Sequence, residues 1–267
     1  MQSVSLNDYL SNKSNWPKRL FGWEKFGIDR DIAQIESEYN IDRYAPLLAD
    51  ASLLTIEACK TREFENMGMS PDAPHFISYG EELFKCPTRV ARKLWIDLIQ
   101  SSAQRFATGQ ICELGCGYGY NLAQLGDKSY GGDYSENAVR LGQRFGADIC
   151  RFDYYQPETY EFIRPGSTIL TVHSIEQIPS ARAFIDAISK QRDKITEVIH
   201  LEPSWLDERT TLLGMARNRF NELIQHNRDL VELLRSHPDI EIVSFEPDVF
   251  GIHPLNPSIR TVWRFRK

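Results

Sequence analysis

A mostly parallel, seven-stranded α/β sheet with an antiparallel last strand and an N-terminal helical cap is the fold class this sequence predicts. Three observations point to it. From about residue 105 short apolar runs alternate with amphipathic segments. The last two runs are joined by a Pro- and Asn-containing loop with no helix between them, and the first hundred residues differ in texture from everything that follows. Alternation of that kind builds parallel strands with crossover helices, whereas a connection without a crossover implies antiparallel pairing.

The elements follow in order. Helix-like segments are expected around 31–38, 45–60 and 88–101, with Trp16, Phe21, Trp23, Phe26, Phe76, Tyr79 and Phe84 in and between less regular stretches. We therefore expect a helical cap or lid over 1–104 and an α/β core over 105–267. Within that core 111–114, 128–132, 148–152, 167–172 and 196–201 read as strands, and 121–125, 136–145, 181–190 and 206–236 as helices. Ser135 as N-cap and Gly146 just past the end mark the second of these helices, whose buried stripe is Ala138, Leu141 and Phe145. The 206–236 region carries Leu213, Ala216, Phe220, Leu223, Leu230 and Leu234 on one apolar face. That face either packs on the sheet or serves as a lid or homodimer contact. Segments 240–245 and 258–265 complete the strands.

Composition narrows the function. With 267 residues, 42% hydrophobic and 25% charged, and with 16 Gly and 13 Pro spread along the chain, this is globular composition large enough to bury a core unaided. A formal charge of −6 disfavours nucleic acid as a partner. No apolar run is long enough to span a bilayer, and residues 1–20 lack the apolar core of a signal peptide, so a cytoplasmic protein without a membrane partner is expected. The five cysteines, Cys59, Cys86, Cys112, Cys116 and Cys150, form no CxxC pair, and no metal site is expected.

The strongest signal is Glu113-Leu114-Gly115-Cys116-Gly117-Tyr118-Gly119, between the apolar Ile111-Cys112 and a helix. A glycine-rich turn from a first strand into a first helix lets the backbone approach a ligand closely and aims free amides at it. A nicotinamide fingerprint would place its third small residue where Tyr120 stands, so a dehydrogenase is disfavoured. Asp133 follows about twenty residues after Glu113, where a carboxylate can accept both hydroxyl protons of a ribose.

This spacing resembles the first motif of class I S-adenosylmethionine-dependent methyltransferases. The resemblance runs from about residue 100 to 267 and implies a Rossmann-like sheet whose seventh strand is antiparallel and inserted between the fifth and sixth. It implies S-adenosylmethionine as cofactor, S-adenosylhomocysteine as product, and a cofactor site of Glu113, Gly115, Gly117, Gly119, Asp133 and Asp153, the last beside the adenine amino group. The first hundred residues resemble no family.

Chemistry is expected beyond the carboxyl ends of the fourth and fifth core strands, at 173–177 and 202–205. His173 is the candidate base, since its ordinary pKa lies near working pH. Glu176 and Glu202 are candidates to hold a cationic amine or to deprotonate a hydroxyl. Gln177, Trp205, His253, Asn256 and Tyr79 are candidate substrate contacts. The Asn/Asp-Pro-Pro-aromatic tetrapeptide of many methyltransferases acting on base or amide nitrogens is absent after the fourth strand. The expected substrate is therefore a polar small molecule methylated on an amino or hydroxyl group, with a lean toward the amine. A protein or peptide methyltransferase and a non-catalytic cofactor-binding scaffold are the alternatives.

Overall fold

The structure, a computed structural model, describes residues 1–12, 16–26 and 30–266. Lys267, the last residue of the expected core, lies outside them. The N-terminal region holds β1 (Gln2–Val4), α1 (Leu6–Ser11), α2 (Trp16–Leu20), α3 (Ile32–Ile35), a π-helix (Glu36–Tyr44), α4 (Ala45–Ala49), α5 (Ile56–Asn66), β2 (Pro74–Tyr79), β3 (Glu82–Pro87) and α6 (Thr88–Phe106). The core follows with β4 (Gln110–Leu114), α7 (Tyr120–Leu125), β5 (Ser129–Asp133), α8 (Glu136–Arg144), β6 (Ile149–Arg151) and β7 (Ser167–Val172). It ends with α9 (Arg182–Lys190), β8 (Ile195–Glu202), α10 (Leu212–Leu223), α11 (Leu230–Ser236), β9 (Ile240–Phe250) and β10 (Ser258–Phe265).

The large sheet runs β6-β5-β4-β7-β8-β10-β9. Strands β4 to β8 run parallel to one another, and β10 lies antiparallel between β8 and β9. Strand order reverses between β4 and β7, the switch point at which an open parallel sheet leaves a crevice beyond its carboxyl edge. Phe152, Tyr160, Phe184 and Trp263 fill one face of the sheet. On the other, Leu170, Ile199 and Val262 meet Trp95, Leu98 and Ile99 of α6. Helix α6 thus covers the core sheet although it precedes the expected boundary.

Three features depart from the sequence reading. The aromatic stretch around Phe76 to Phe84 is a β-hairpin, β2 and β3, to which β1 adds on the far side of β3. It is packed on both faces, with Phe76 and Leu83 in one apolar cluster and Ile77, Phe84 and Cys86 in another, so no one-sided alternation marks it in the sequence. The expected helix over 206–236 is two helices. Between them Gln225 takes φ +54°, Leu230 N donates to Asn227 Oδ1 at 3.0 Å, and Asn227 Nδ2 donates to Ile178 O at 3.2 Å. The apolar face divides accordingly: Leu213 and Phe220 pack with Tyr9, Trp16 and Phe76, while Leu230 and Leu234 enter the core under the sheet. Strand β9 also continues to Phe250, where Ser78 and Gly251 exchange backbone hydrogen bonds of 2.9 Å with each other.

That extension is anchored by a buried ionic cluster. Asp248 accepts from Arg217 Nη1 at 2.9 Å and from Arg209 Nη2 at 2.5 Å, with Arg217 fully buried. Arg217 also donates to Pro254 O and Gly80 O. Removing one partner of a buried cluster strands the other charges, at a cost of about 3–5 kcal/mol. Asp248→Ala should lower urea-measured stability by about that amount. A loss below about 1 kcal/mol would mean that Glu81, Asn218 and the backbone carbonyls satisfy both guanidinium groups without Asp248.

Candidate functional site

A cavity of about 400 Å³ opens beyond the carboxyl ends of β4, β5 and β7. Its floor is the glycine loop, Asp133 to Ser135, residues 152–155 and residues 172–178. Its roof comes from the N-terminal region: Ile35, Tyr39, Arg43 and Tyr44, then Lys60, Glu63 and Phe64 of α5, then Arg92, Trp95 and Ile96 of α6. The roof helix changes to π geometry over Glu36–Tyr44. Bonding from i to i+5 widens the turn, so Tyr39 and Tyr44 lie over one another and both face the cavity. In a regular α-helix these two would diverge. Nothing in the apolar pattern marks this change, and the sequence reading missed all of these roof residues.

Gly115 and Gly117 have φ of +75° and +56°. A Cβ on Gly115 would lie 2.4 Å from Ser174 Cβ, and one on Gly117 would lie 2.9 Å from Tyr44 Oη. The loop therefore needs glycine, as expected, but the amides of Gly115, Cys116, Gly117 and Gly119 are already engaged. Gly115 N and Cys116 N donate to Gly132 O at 2.8 and 3.1 Å, and Gly119 N donates to Cys116 O at 3.0 Å. Gly117 N donates to Asp133 Oδ2 at 2.7 Å. The loop offers close approach rather than a cradle of donors.

Asp133 lines the cavity, and its Oδ1 accepts from Ser135 N at 2.8 Å. Each oxygen has one backbone partner and keeps a second acceptor direction. Burial pushes this carboxyl above its ordinary value against the pull of those two amides. Asp153 also lines the cavity, accepting from Tyr155 N at 2.9 Å and Gln156 Nε2 at 3.0 Å. Glu113 does not: it is fully buried, its Oε1 accepts from Asn121 Nδ2 at 2.7 Å, and its Oε2 has no partner.

At the other end His173, Glu176 and Gln177 line the wall. Glu176 Oε2 lies 3.2 Å from His173 Nδ1 and 3.4 Å from His226 Nδ1, and it accepts from Asn256 Nδ2 at 3.1 Å. Its Oε1 accepts from Gln177 Nε2 at 2.8 Å. Burial alone would raise this carboxyl, but these partners hold it well below the usual range. For His173, burial pushes down and the Glu176 carboxylate pushes up harder, so the imidazole sits above its ordinary value. His173 Nε2 lies 2.8 Å from Ser258 Oγ. Both ring nitrogens are engaged, so the expected base has no nitrogen open to a substrate. His226 went unnoticed in the sequence because it sits in the break between α10 and α11, which read there as continuous helix.

Five expected contacts stand elsewhere, Asn256 among them, which reaches Glu176 without lining the cavity. Glu202 is buried behind the wall, accepting from the backbone amides of Ser174, Ile175 and Glu176 at 3.0 to 3.3 Å. It caps the turn that follows β7 instead of facing a substrate. Tyr79, at the hairpin turn, is 67% exposed and outside the cavity. Trp205 donates to Asp207 Oδ1 at 2.7 Å and lines a separate groove. The ring of His253 packs 5.0 Å from Phe220, away from the cavity. Among the described residues no group of three or more His, Cys, Asp or Glu side chains could hold a metal ion.

Burial pushes Glu113 up to about 8, whereas its unfolded carboxyl ionises near 4.5. Between those values folding takes up a proton, so this group's contribution to stability falls as pH rises. Urea unfolding at about pH 5 and about pH 8 should show that loss, and Glu113→Gln should shrink it. An unchanged pH slope in the variant would mean that Glu113 ionises normally.

No protein-family model and no curated protein matches the chain. Among solved structures, magnesium protoporphyrin IX methyltransferase of Synechocystis PCC 6803 with bound SAH is 14% identical, with a TM-score of 0.51, over 89% of this chain and 100% of that one. A SAM-dependent methyltransferase of Anabaena variabilis ATCC 29413 is 17% identical, with a TM-score of 0.45, over 66% of this chain and 85% of that one. Together with the strand order and the inserted antiparallel β10, the first likeness shows that this chain has the fold of the class I S-adenosylmethionine-dependent methyltransferases.

Proposed function

We propose that the chain is an S-adenosylmethionine-dependent methyltransferase acting on an amino or hydroxyl group of a polar small molecule. One observation carries the reading: a single cavity at the switch point has Asp133 beside the glycine loop at one end and the His173–Glu176 pair at the other. Its volume, about 400 Å³, is in the range of small-molecule sites. S-adenosylmethionine, when bound, supplies an electrophilic methyl group on a sulfonium. Asp133, with an open acceptor direction on each oxygen, would hold the ribose hydroxyls, and Gly115 and Gly117 would let the remainder lie close to the backbone. Asp153 would stand near the adenine.

His173 and Glu176 would orient the acceptor. With Glu176 held ionised and His173 drawn above its ordinary value by that carboxylate, the pair is a fixed, polar carboxylate–imidazole contact in the wall. Alignment alone supplies up to about 7–11 kcal/mol in such a displacement, so a base is not required. The roof excludes water from the meeting of nucleophile and methyl group.

Calorimetry with S-adenosylhomocysteine tests the cofactor site. Gly117→Arg should abolish binding, and Asp133→Ala should cost about 1.5–3 kcal/mol; undiminished binding by the folded Gly117→Arg protein would remove the cofactor argument. Once an acceptor is known, His173→Ala and Glu176→Gln should lower turnover by about 10²-fold while S-adenosylhomocysteine affinity stays within about threefold. An orienting His173 lowers the plateau of the pH profile, whereas a base would contribute an ascending limb that His173→Ala removes.

A further inference from the structure

The charged groups of the cavity are unequally satisfied. Four carboxylates line it, and each already has at least two protein donors: Glu63 from Lys60 and Tyr118, Asp133 from two backbone amides, Asp153 from Tyr155 and Gln156, and Glu176 from Gln177 and Asn256. The guanidinium groups of the roof are not so matched. Arg43 comes no nearer to a carboxylate than 3.8 Å, at Glu38, and otherwise stacks on Tyr39 at 4.5 Å. Arg92 lies 4.3 Å over the Phe64 ring and donates one hydrogen bond to the Tyr120 hydroxyl, and among the described residues no carboxylate reaches it. Both are partly withdrawn from water. A guanidinium brings five donors in a rigid fork, and in an enclosed site those donors call for an acceptor carrying negative charge.

Their placement reaches from Tyr120, just past the glycine loop, to the acceptor wall. Arg92 is one helical turn from Trp95, whose ring meets the His173 ring at 5.1 Å, at the wall where the acceptor would arrive. Arg43 is one turn from Tyr39, which feels the charges of both Arg43 and Glu176. Neither arginine is among the charges that act on Asp133. We propose that the acceptor is an acid, whose carboxylate is gripped by Arg43 and Arg92 while its amino or hydroxyl group faces His173 and Glu176. This rests on the methyltransferase reading above.

The test uses matched probes: amino acids and hydroxy acids against their carboxamides, which differ only in the charge. Thermal stabilisation of the whole protein is measured with and without saturating S-adenosylhomocysteine. At least one acid should bind about tenfold better than its carboxamide, and Arg43→Gln and Arg92→Gln should each erase that preference while leaving S-adenosylhomocysteine affinity within about threefold. Arg43→Lys and Arg92→Lys should restore part of it, because the charge returns without the fork. A panel in which no acid outperforms its carboxamide overturns the proposal. So does an approximately tenfold loss of S-adenosylhomocysteine affinity in the glutamine variants, which would assign the guanidiniums to the cofactor's own carboxylate. Failure of the wild-type protein to bind S-adenosylhomocysteine, with acid preference intact, would instead sink the methyltransferase reading and leave an anion site.

Discussion

Carboxylates buried at the carboxyl edge of a parallel sheet must find donors, and the loops at this edge take the shapes that supply them. Glu176 and Glu202 are each no more than 5% exposed. An unpaired buried carboxylate is costly enough to dictate local geometry. Glu202 at the end of β8 gathers the amides of Ser174, Ile175 and Glu176, which winds the chain after β7 into the tight turn Ile175–Gln177. That turn is what aims Glu176 and Gln177 into the cavity wall. A residue with no access to the cavity therefore decides where two that line it stand. His173, immediately before, takes φ +50°, a region uncommon outside glycine, and is held there by Glu176, Ser258 and the Trp95 ring.

Asp133 does the corresponding work on the other side of the switch point. Its two oxygens tie the glycine loop, through Gly117, to the start of α8, through Ser135. Ser135 caps α8 at Ala138 N and also donates to Asn40 Oδ1 at 2.7 Å. Asn40 belongs to the π segment and accepts from Asn137 N as well, at 2.9 Å. Floor and roof are thus joined by one chain of hydrogen bonds, Gly117–Asp133–Ser135–Asn40. Widening of the roof helix to π geometry brings both Tyr39 and Tyr44 over the cavity while Asn40 keeps its hold on α8.

The core was readable because its signals are local. Short apolar runs separated by amphipathic helices, a Ser and a Gly bounding α8, and three glycines behind a strand each express their structure within a few residues. The antiparallel pairing of β9 with β10 was readable for the same reason, since a loop too short for a crossover leaves antiparallel pairing, whereas the insertion of β10 next to β8 was implied by the resemblance alone. What escaped depends on distant partners. The hairpin is packed on both faces and so shows no one-sided alternation, and the break after Leu223 needs Asn227 to meet Ile178 across the fold. Position relative to the sheet identified His173, Glu176 and Gln177 as cavity residues but could not show that Glu202, one strand over, would turn its carboxylate to backbone amides. The roof was unreadable because its residues become neighbours of the glycine loop only after folding.

The ionic cluster far from the cavity explains how the last contact to Glu176 is placed. Buried ion pairs add little net stability compared with apolar packing, and in some folds they select a single arrangement. Here the turn of the hairpin is pinned from two directions: Gly80 N donates to Asp248 O at 2.9 Å, and Gly80 O accepts from Arg217 Nη2 at 2.8 Å. Arg217 Nε reaches Pro254 O at 3.0 Å in the loop between β9 and β10. That loop carries Asn256, whose amide donates to Glu176. An apolar cluster of equal volume could let the hairpin shift along the edge of β9, because nonpolar contacts do not specify register. Guanidinium groups that must meet particular oxygens permit one register, and through Pro254 and Asn256 that register fixes the position of the carboxylate in the cavity wall.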